Sequence, residues 1–164
     1  MRKNFGKKAI LAPLPVLIVA TYVENGTPDA MNAAWGGQCS AHHVALNLAM
    51  GHKTTENLLK KKAFTLSIAG ADNLVLSDYF GLVSGHEANK MEAAGVHVSK
   101  SAFVDAPVIE EYALTLECRV VSMEQRLGEM YVLGEVVNMQ ADESILDDRG
   151  RVDLDKLKPL SFDS

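Results

Sequence analysis

The residues best suited to chemistry gather between Met31 and Leu59, in the run MNAAWGGQCSAHHVALNLAMGHKTTENLL. Near its end His52, Lys53, Thr54 and Thr55 stand together, just ahead of Glu56 and Asn57. A helix starting here leaves its first backbone N–H groups without partners inside the helix and turns the positive end of its dipole outward. Lys53 and His52 place cations where an isolated helix prefers an acid, which disfavours it by about a few tenths of a kcal/mol unless an anion sits nearby. The two threonine hydroxyls can donate to the same anion. A phosphate fits this chemistry. An ordinary capped surface helix with exposed basic residues is the plainer alternative.

The stretch just before it, Asn32 to Ser40, has a different character. Ala33, Ala34, Gly36 and Gly37 remove side-chain bulk, so a planar ligand could approach the backbone closely. A glycine pair in a strand more often marks a bulge or bend. Trp35 can stack on a ring or sit in the core, and Asn32 and Gln38 can read polar ring edges or bond the sheet. A small-residue strand leading into an anion-binding helix start suggests a flat ligand with a phosphate at one end.

Two other groupings carry less. His42 and His43, with His52, His86 and His97 elsewhere, invite a metal site, but adjacent residues on an extended chain point to opposite faces. No HxxxH, HExxH or CxxC spacing accompanies them, so no metal is expected. Cys39 has no histidine placed beside it by the sequence, and an unpaired cysteine is usually a small buried hydrophobe.

The elements that must position these residues follow from periodicity. Val16 to Val23 is rich in β-branched residues and runs into Glu24-Asn25-Gly26-Thr27-Pro28-Asp29, a turn signal lengthened by Pro28. The returning strand is predicted over Ala30 to Cys39 and the next over Val44 to Met50. A helix is expected from Thr54 to Lys62, with threonine at its start, Leu58 and Leu59 buried, and three lysines at its end. Phe64 to Ala69 reads as a strand, and Asp72 to Val83 and His86 to Ala94 as short helices broken at Gly85 and Gly95. Leu114, Leu116, Cys118 and Val120 alternate with Thr115, Glu117 and Arg119, the cleanest period-two pattern in the chain. Gln125 to Gly128 turns, and Glu129 to Gln140 returns as a long strand. Antiparallel strands of this length, joined by hairpins, tend to close into a barrel and so lose their edges.

Composition sets the outer bounds. The 164 residues suit one domain, 1–164, without repeats or linkers. A hydrophobic share of 48% and a charged share of 23% are those of a soluble globular protein. A net charge of -5 argues against nucleic acid or an anionic membrane as partner. Two cysteines are too few for a disulfide framework and fit a reducing cytosol, so a cytoplasmic location is expected. Arg2, Lys3, Lys7 and Lys8 ahead of the apolar run Ala9 to Ala20 superficially resemble a secretory signal, but Pro13 and Pro15 interrupt it. No run reaches the about 20 apolar residues of a membrane span.

Taken in order, the motifs resemble those of the flavin reductase-like proteins, with the FMN-binding split barrel of the flavoredoxin-like type. Asn32 to Trp35, in shortened spacing, Cys39-Ser40 and Lys53-Thr54-Thr55-Glu56-Asn57 match the family's ring strand and helix start. The likeness continues through Ser84-Gly85-His86 to Lys90, Asp105 to Glu111, Leu116 to Val120, Leu133 to Val137 and Lys156 to Leu160. It implies a mainly β fold, a six-stranded antiparallel Greek-key split barrel with a few inserted helices. It also implies non-covalently bound FMN and a homodimer with the flavin near the subunit boundary. By the family pattern Asn32, Ala33, Ala34, Trp35, Gly36, Gly37 and Ser40 would lie along the ring. His52, Lys53, Thr54, Thr55, Asn57 and Lys90 would surround the phosphate.

The implied activity is hydride transfer from NADH or NADPH to flavin. An electron-transfer flavoprotein fed by a protein donor, or a cofactor-free structural barrel, are the alternatives. No catalytic side chain is expected, because hydride transfer is the cofactor's own chemistry. Many relatives carry a proline pair, in the loop beside the ring, where this chain has His42-His43. Many also continue with an aromatic tail near the flavin after the segment matching Lys158-Pro159-Leu160.

Overall fold

The structure, a computed structural model, describes residues 1–163. Its strands are β1 (Leu14–Pro15), β2 (Leu17–Tyr22), β3 (Pro28–Ala33), β4 (Gly36–Ser40), β5 (His43–Ala49), β6 (Ala63–Ile68), β7 (Val98–Lys100), β8 (Pro107–Ile109), β9 (Leu114–Arg126), β10 (Glu129–Ala141) and β11 (Ser161–Phe162). Its helices are α1 (Lys53–Lys61), α2 (Leu74–Leu82), α3 (Lys90–Ala94) and α4 (Leu154–Leu157). The main sheet is antiparallel and ordered β3-β2-β6-β9-β10-β5-β4.

The two edge strands of this sheet, β3 and β4, are neighbours in the chain, joined only by Ala34 and Trp35. Three residue steps span at most about 11 Å. The sheet must therefore curl until its edges face each other, which makes a barrel with a seam at Ala34-Trp35. Seven strands build it rather than the six expected. The extra one arises because the strand predicted over Ala30 to Cys39 breaks at that seam into β3 and β4.

Strand alternation fills the barrel. Leu17, Val19, Val44, Leu46, Leu48, Phe64, Leu66 and Val132 point inward with Leu58 of α1, all buried. A second cluster, including Ile18, Ala20, Phe80, Met91 and Ile109, lies outside β2, under α2, α3 and the segment leading to β9. With both faces covered, Leu17 to Ala20 is a continuous buried run. The same cover buries Thr115 and Glu117 on the outer face of β9. Glu117 accepts hydrogen bonds from Asn138 Nδ2 (2.9 Å) and Gln140 Nε2 (2.7 Å), as a buried carboxylate requires.

The β9–β10 turn uses Leu127 (φ 53°) and Gly128 (φ 87°), the two positive-φ positions of a tight hairpin. The helix expected over His86 to Ala94 shrinks to α3. Asn89 stands in extended conformation, its side chain accepting from Glu92 N–H, so it starts a helix there and ends any helix from the N-terminal side. No helix among the described residues is long and apolar enough to cross a membrane.

Candidate functional site

The barrel seam and the start of α1 bound two adjoining hollows. The first, about 470 Å³, is lined by Met31 and Asn32 of β3, Ala33, Ala34 and Trp35 at the seam, Asn47 and Ala49 of β5, and His52. Ala9 to Ala12 and Phe162 close its outer side. Its volume falls in the range of about 300–1,000 Å³ usual for small-molecule sites. The second, about 270 Å³, is lined by His52, Lys53 and Thr54, the loop Gly81 to Gly85 and Lys90. Met31, Asn32 and His52 border both, so the hollows adjoin.

The second hollow gathers donors and positive charge. His52 precedes α1 in extended conformation, and no side chain caps the helix. The first-turn N–H groups of a nine-residue helix therefore open beside Lys53 and Lys90. Lys53 meets Glu56 at 3.5 Å, and His86 meets the same carboxylate at 3.4 Å.

Beneath this surface lies Asp29 of β3, 5% exposed. It accepts from Thr54 Oγ1 at 2.8 Å and from Asn57 Nδ2 at 3.5 Å, and lies 3.8 Å from Lys90 Nζ. Gly85 packs so closely on the Asp29 carboxylate that a Cβ there would overlap it. One carboxylate thus ties β3, α1, the loop after α2 and the start of α3 together. Lys90, only 4% exposed, also reaches Phe80 O at 3.5 Å. Burial lowers the Lys90 pKa below the ordinary lysine value, and Asp29 works against that shift.

The residues singled out from the sequence divide into three groups. Asn32, Ala33, Ala34, Trp35, His52, Lys53, Thr54 and Lys90 border the hollows. Asn32 does so with its amide held by Ser77 O at 3.0 Å, and Trp35 is 57% exposed. Thr55 and Asn57 lie behind, and none of the hydroxyls expected to reach a phosphate is free: Thr54 donates to Asp29, and Thr55 to Ala49 O at 2.9 Å. Asn57 donates to Thr21 Oγ1 at 3.1 Å and to Asp29.

Gly36, Gly37 and Ser40 border neither hollow. Gly36 is small for a packing reason, since a Cβ there would stand 2.5 Å from Leu46 Cδ2 and 2.9 Å from Ala45 O. Ser40 bonds His43 Nδ1 at 2.8 Å in the β4–β5 turn. His42 and His43 border a separate hollow of about 350 Å³ with Val136 to Met139. They do not stand between the seam and the α1 start, as the sequence order suggested, because β5 carries the chain the length of the barrel in between. Cys39 is exposed. Among the described residues no three His, Cys, Asp or Glu side chains gather as a metal site.

Asp29, Asn47, the loop Gly81 to Val83 and Ala9 to Ala12 went unnoticed in the sequence. Asn47 had a signal: it is the polar residue at an outward position of β5, flanked by Ala45 and Ala49, while Val44, Leu46 and Leu48 point inward. Asp29 had none, being hidden in what reads as a turn.

Known proteins share this fold. Flavoredoxin of Desulfovibrio vulgaris (Miyazaki F) superposes with a TM-score of 0.93 at 29% identity, covering 99% of this chain and 88% of its own. The FMN-binding protein of Thermus thermophilus shares the fold, with a TM-score of 0.79 at 22% identity over 93% of this chain and 86% of that one. An uncharacterized protein of Archaeoglobus fulgidus is 27% identical over 154 residues, 93% of this chain and 86% of the relative. The family model described as a flavin reductase like domain matches residues 11–158. Nearly the whole barrel lies inside that match, and the chain belongs to the flavin reductase-like family.

Proposed function

We propose that this chain binds FMN non-covalently along the two adjoining hollows and carries hydride from NADH or NADPH to flavin. Family membership supports the coarser statement, a flavin-related oxidoreductase, and the likeness to the Desulfovibrio flavoredoxin points the same way. The observation that carries the finer one is an apolar hollow lying directly beside an uncapped helix start flanked by two lysines.

The donor set fits the cofactor. Lys53, Lys90, His52 and the first N–H groups of α1 would hold the phosphate, a match of charge and of hydrogen-bond donors. Ala33, Ala34 and Ala49 would flank the ring with little bulk, beside Met31 and Trp35. FMN held by these residues would supply two-electron, hydride-accepting chemistry. The chain orients the ligand, fixes its phosphate end and narrows water access through Ile10, Leu11 and Phe162. No acid or base is needed from a side chain.

A second reading has support of its own. The match to a flavoredoxin favours an electron carrier that takes electrons from a protein donor. Anaerobic absorption spectra separate the two. A flavin band that bleaches on adding NADH or NADPH establishes the reductase, and a band that bleaches only with dithionite establishes the carrier. A protein that takes up no flavin refutes both.

A further inference from the structure

We infer that the basic strap ahead of β1 takes the diphosphate of the nicotinamide dinucleotide, a proposal that rests on the hydride-transfer reading above. Residues 1–12 are exposed throughout, and their one backbone hydrogen bond, Lys8 N–H to Gly6 O at 3.0 Å, lies within the strap. Arg2, Lys3, Lys7 and Lys8 stand on it, and no acidic residue precedes Glu24. Among the described residues none of these cations has a carboxylate partner, whereas Lys53 meets Glu56 and Lys90 meets Asp29. A chain of net charge -5 thus concentrates uncompensated positive charge in one segment. Such a run repels itself and attracts anions.

The place of the strap argues for which anion. Ala9 to Ala12 form part of the wall of the 470 Å³ hollow proposed for the ring, and Lys7 and Lys8 directly precede that wall. No lysine or arginine lines this hollow, and Glu129 there is acidic. No strap residue lines the second hollow, so the FMN phosphate proposed there is left to other residues. A hydride donor must bring C4 of its dihydronicotinamide against the flavin ring. The hydride leaves with its electron pair, oxidising the nicotinamide and reducing the flavin. The diphosphate, one ribose away, then falls outside the hollow, within a few residue lengths of Lys7 and Lys8 at about 3.5 Å each. NADPH brings a further phosphate to the same charges. The strap cations bind and position this second substrate and touch no reacting atom.

The test uses the FMN-loaded chain and a variant carrying Arg2→Gln, Lys3→Gln, Lys7→Gln and Lys8→Gln, all at exposed positions. Calorimetry follows binding of oxidised NAD and NADP, which cannot reduce the flavin. Anaerobic stopped-flow follows reduction by NADH, NADPH and N-benzyl-dihydronicotinamide, a hydride donor without phosphate. At low salt the variant should bind NADP about tenfold more weakly, and NAD with a smaller loss. Its second-order rate with NADPH should fall by a similar factor while the saturated rate stays within about twofold. High salt should bring the wild type toward the variant. The phosphate-free donor should reduce both proteins equally, and FMN affinity should stay within about twofold. Unchanged binding and reduction by both nucleotides, or an equal loss with the phosphate-free donor, overturns the role of the strap alone. A wild type reduced by neither NADH nor NADPH overturns the hydride-transfer reading with it.

Discussion

Asp29→Asn is the perturbation that tests most sharply how the second hollow is held. The substitution keeps the shape, and its Oδ1 can still accept from Thr54 Oγ1, now 2.8 Å from the carboxylate. What it removes is the counter-charge 3.8 Å from Lys90 Nζ, where both side chains are almost wholly buried. Breaking a buried pair from one side costs about 3–5 kcal/mol. The separation is long for an ion pair, so the low end applies, about 3 kcal/mol, or roughly 6–12 °C in Tm for a domain of this size.

The effect should also depend on pH in a defined direction. Burial holds the Lys90 pKa below its ordinary value and Asp29 pushes it up, so losing Asp29 lowers it further. Between the lowered folded value and the ordinary one, the unfolded chain binds more protons, and stability rises with pH. That window opens at lower pH in the variant. The gap between wild type and Asp29→Asn should therefore narrow as pH rises from 7 toward 10. Urea unfolding at the two pH values measures it, and adding Lys90→Met should recover part of the loss. A gap under about 1 kcal/mol at pH 7, or one that widens with pH, refutes the reasoning.

Other consequences can be checked on ligand binding. Lys53→Ala and Lys90→Met should each weaken FMN by about tenfold while leaving riboflavin within about twofold, since each removes a charge beside the proposed phosphate position and riboflavin has no phosphate. Glu56→Gln releases Lys53 and His86 from a shared carboxylate and should tighten FMN about twofold at low salt, a gain that titrations at high salt should abolish. Gly36→Val should cost about 1–3 kcal/mol or more in unfolding measurements through its overlap with Leu46 and Ala45. The chain that does fold should keep its flavin-to-protein ratio near that of the wild type.

Much of this was legible in the residues. The alternation of Leu114 to Val120 gave a true long strand, and the cations at the start of α1 were visible in His52-Lys53, although the threonine expected to cap it leaves the helix start uncapped and donates to Asp29. What escaped depends on distance in the chain. The seam at Ala34-Trp35 splits a strand because the sheet's two edges must meet there, and no local pattern encodes that closure. Thr54 and Asn57 are polar residues at a helix start, and composition cannot say whether such side chains face a ligand or a buried carboxylate 25 or more positions earlier. Gly36 looked like room for a ring and is instead room for Leu46. His42-His43 stands near α1 in sequence but borders a different hollow in space, because β5 intervenes.

The most direct measurement is a titration of the apo chain with FMN and with riboflavin, followed by flavin fluorescence. One FMN should bind per chain, with riboflavin at least about tenfold weaker, as expected if the apolar hollow takes the ring while Lys53, Lys90 and the α1 start take the phosphate. Failure to bind either flavin, or riboflavin binding as tightly as FMN, would contradict it.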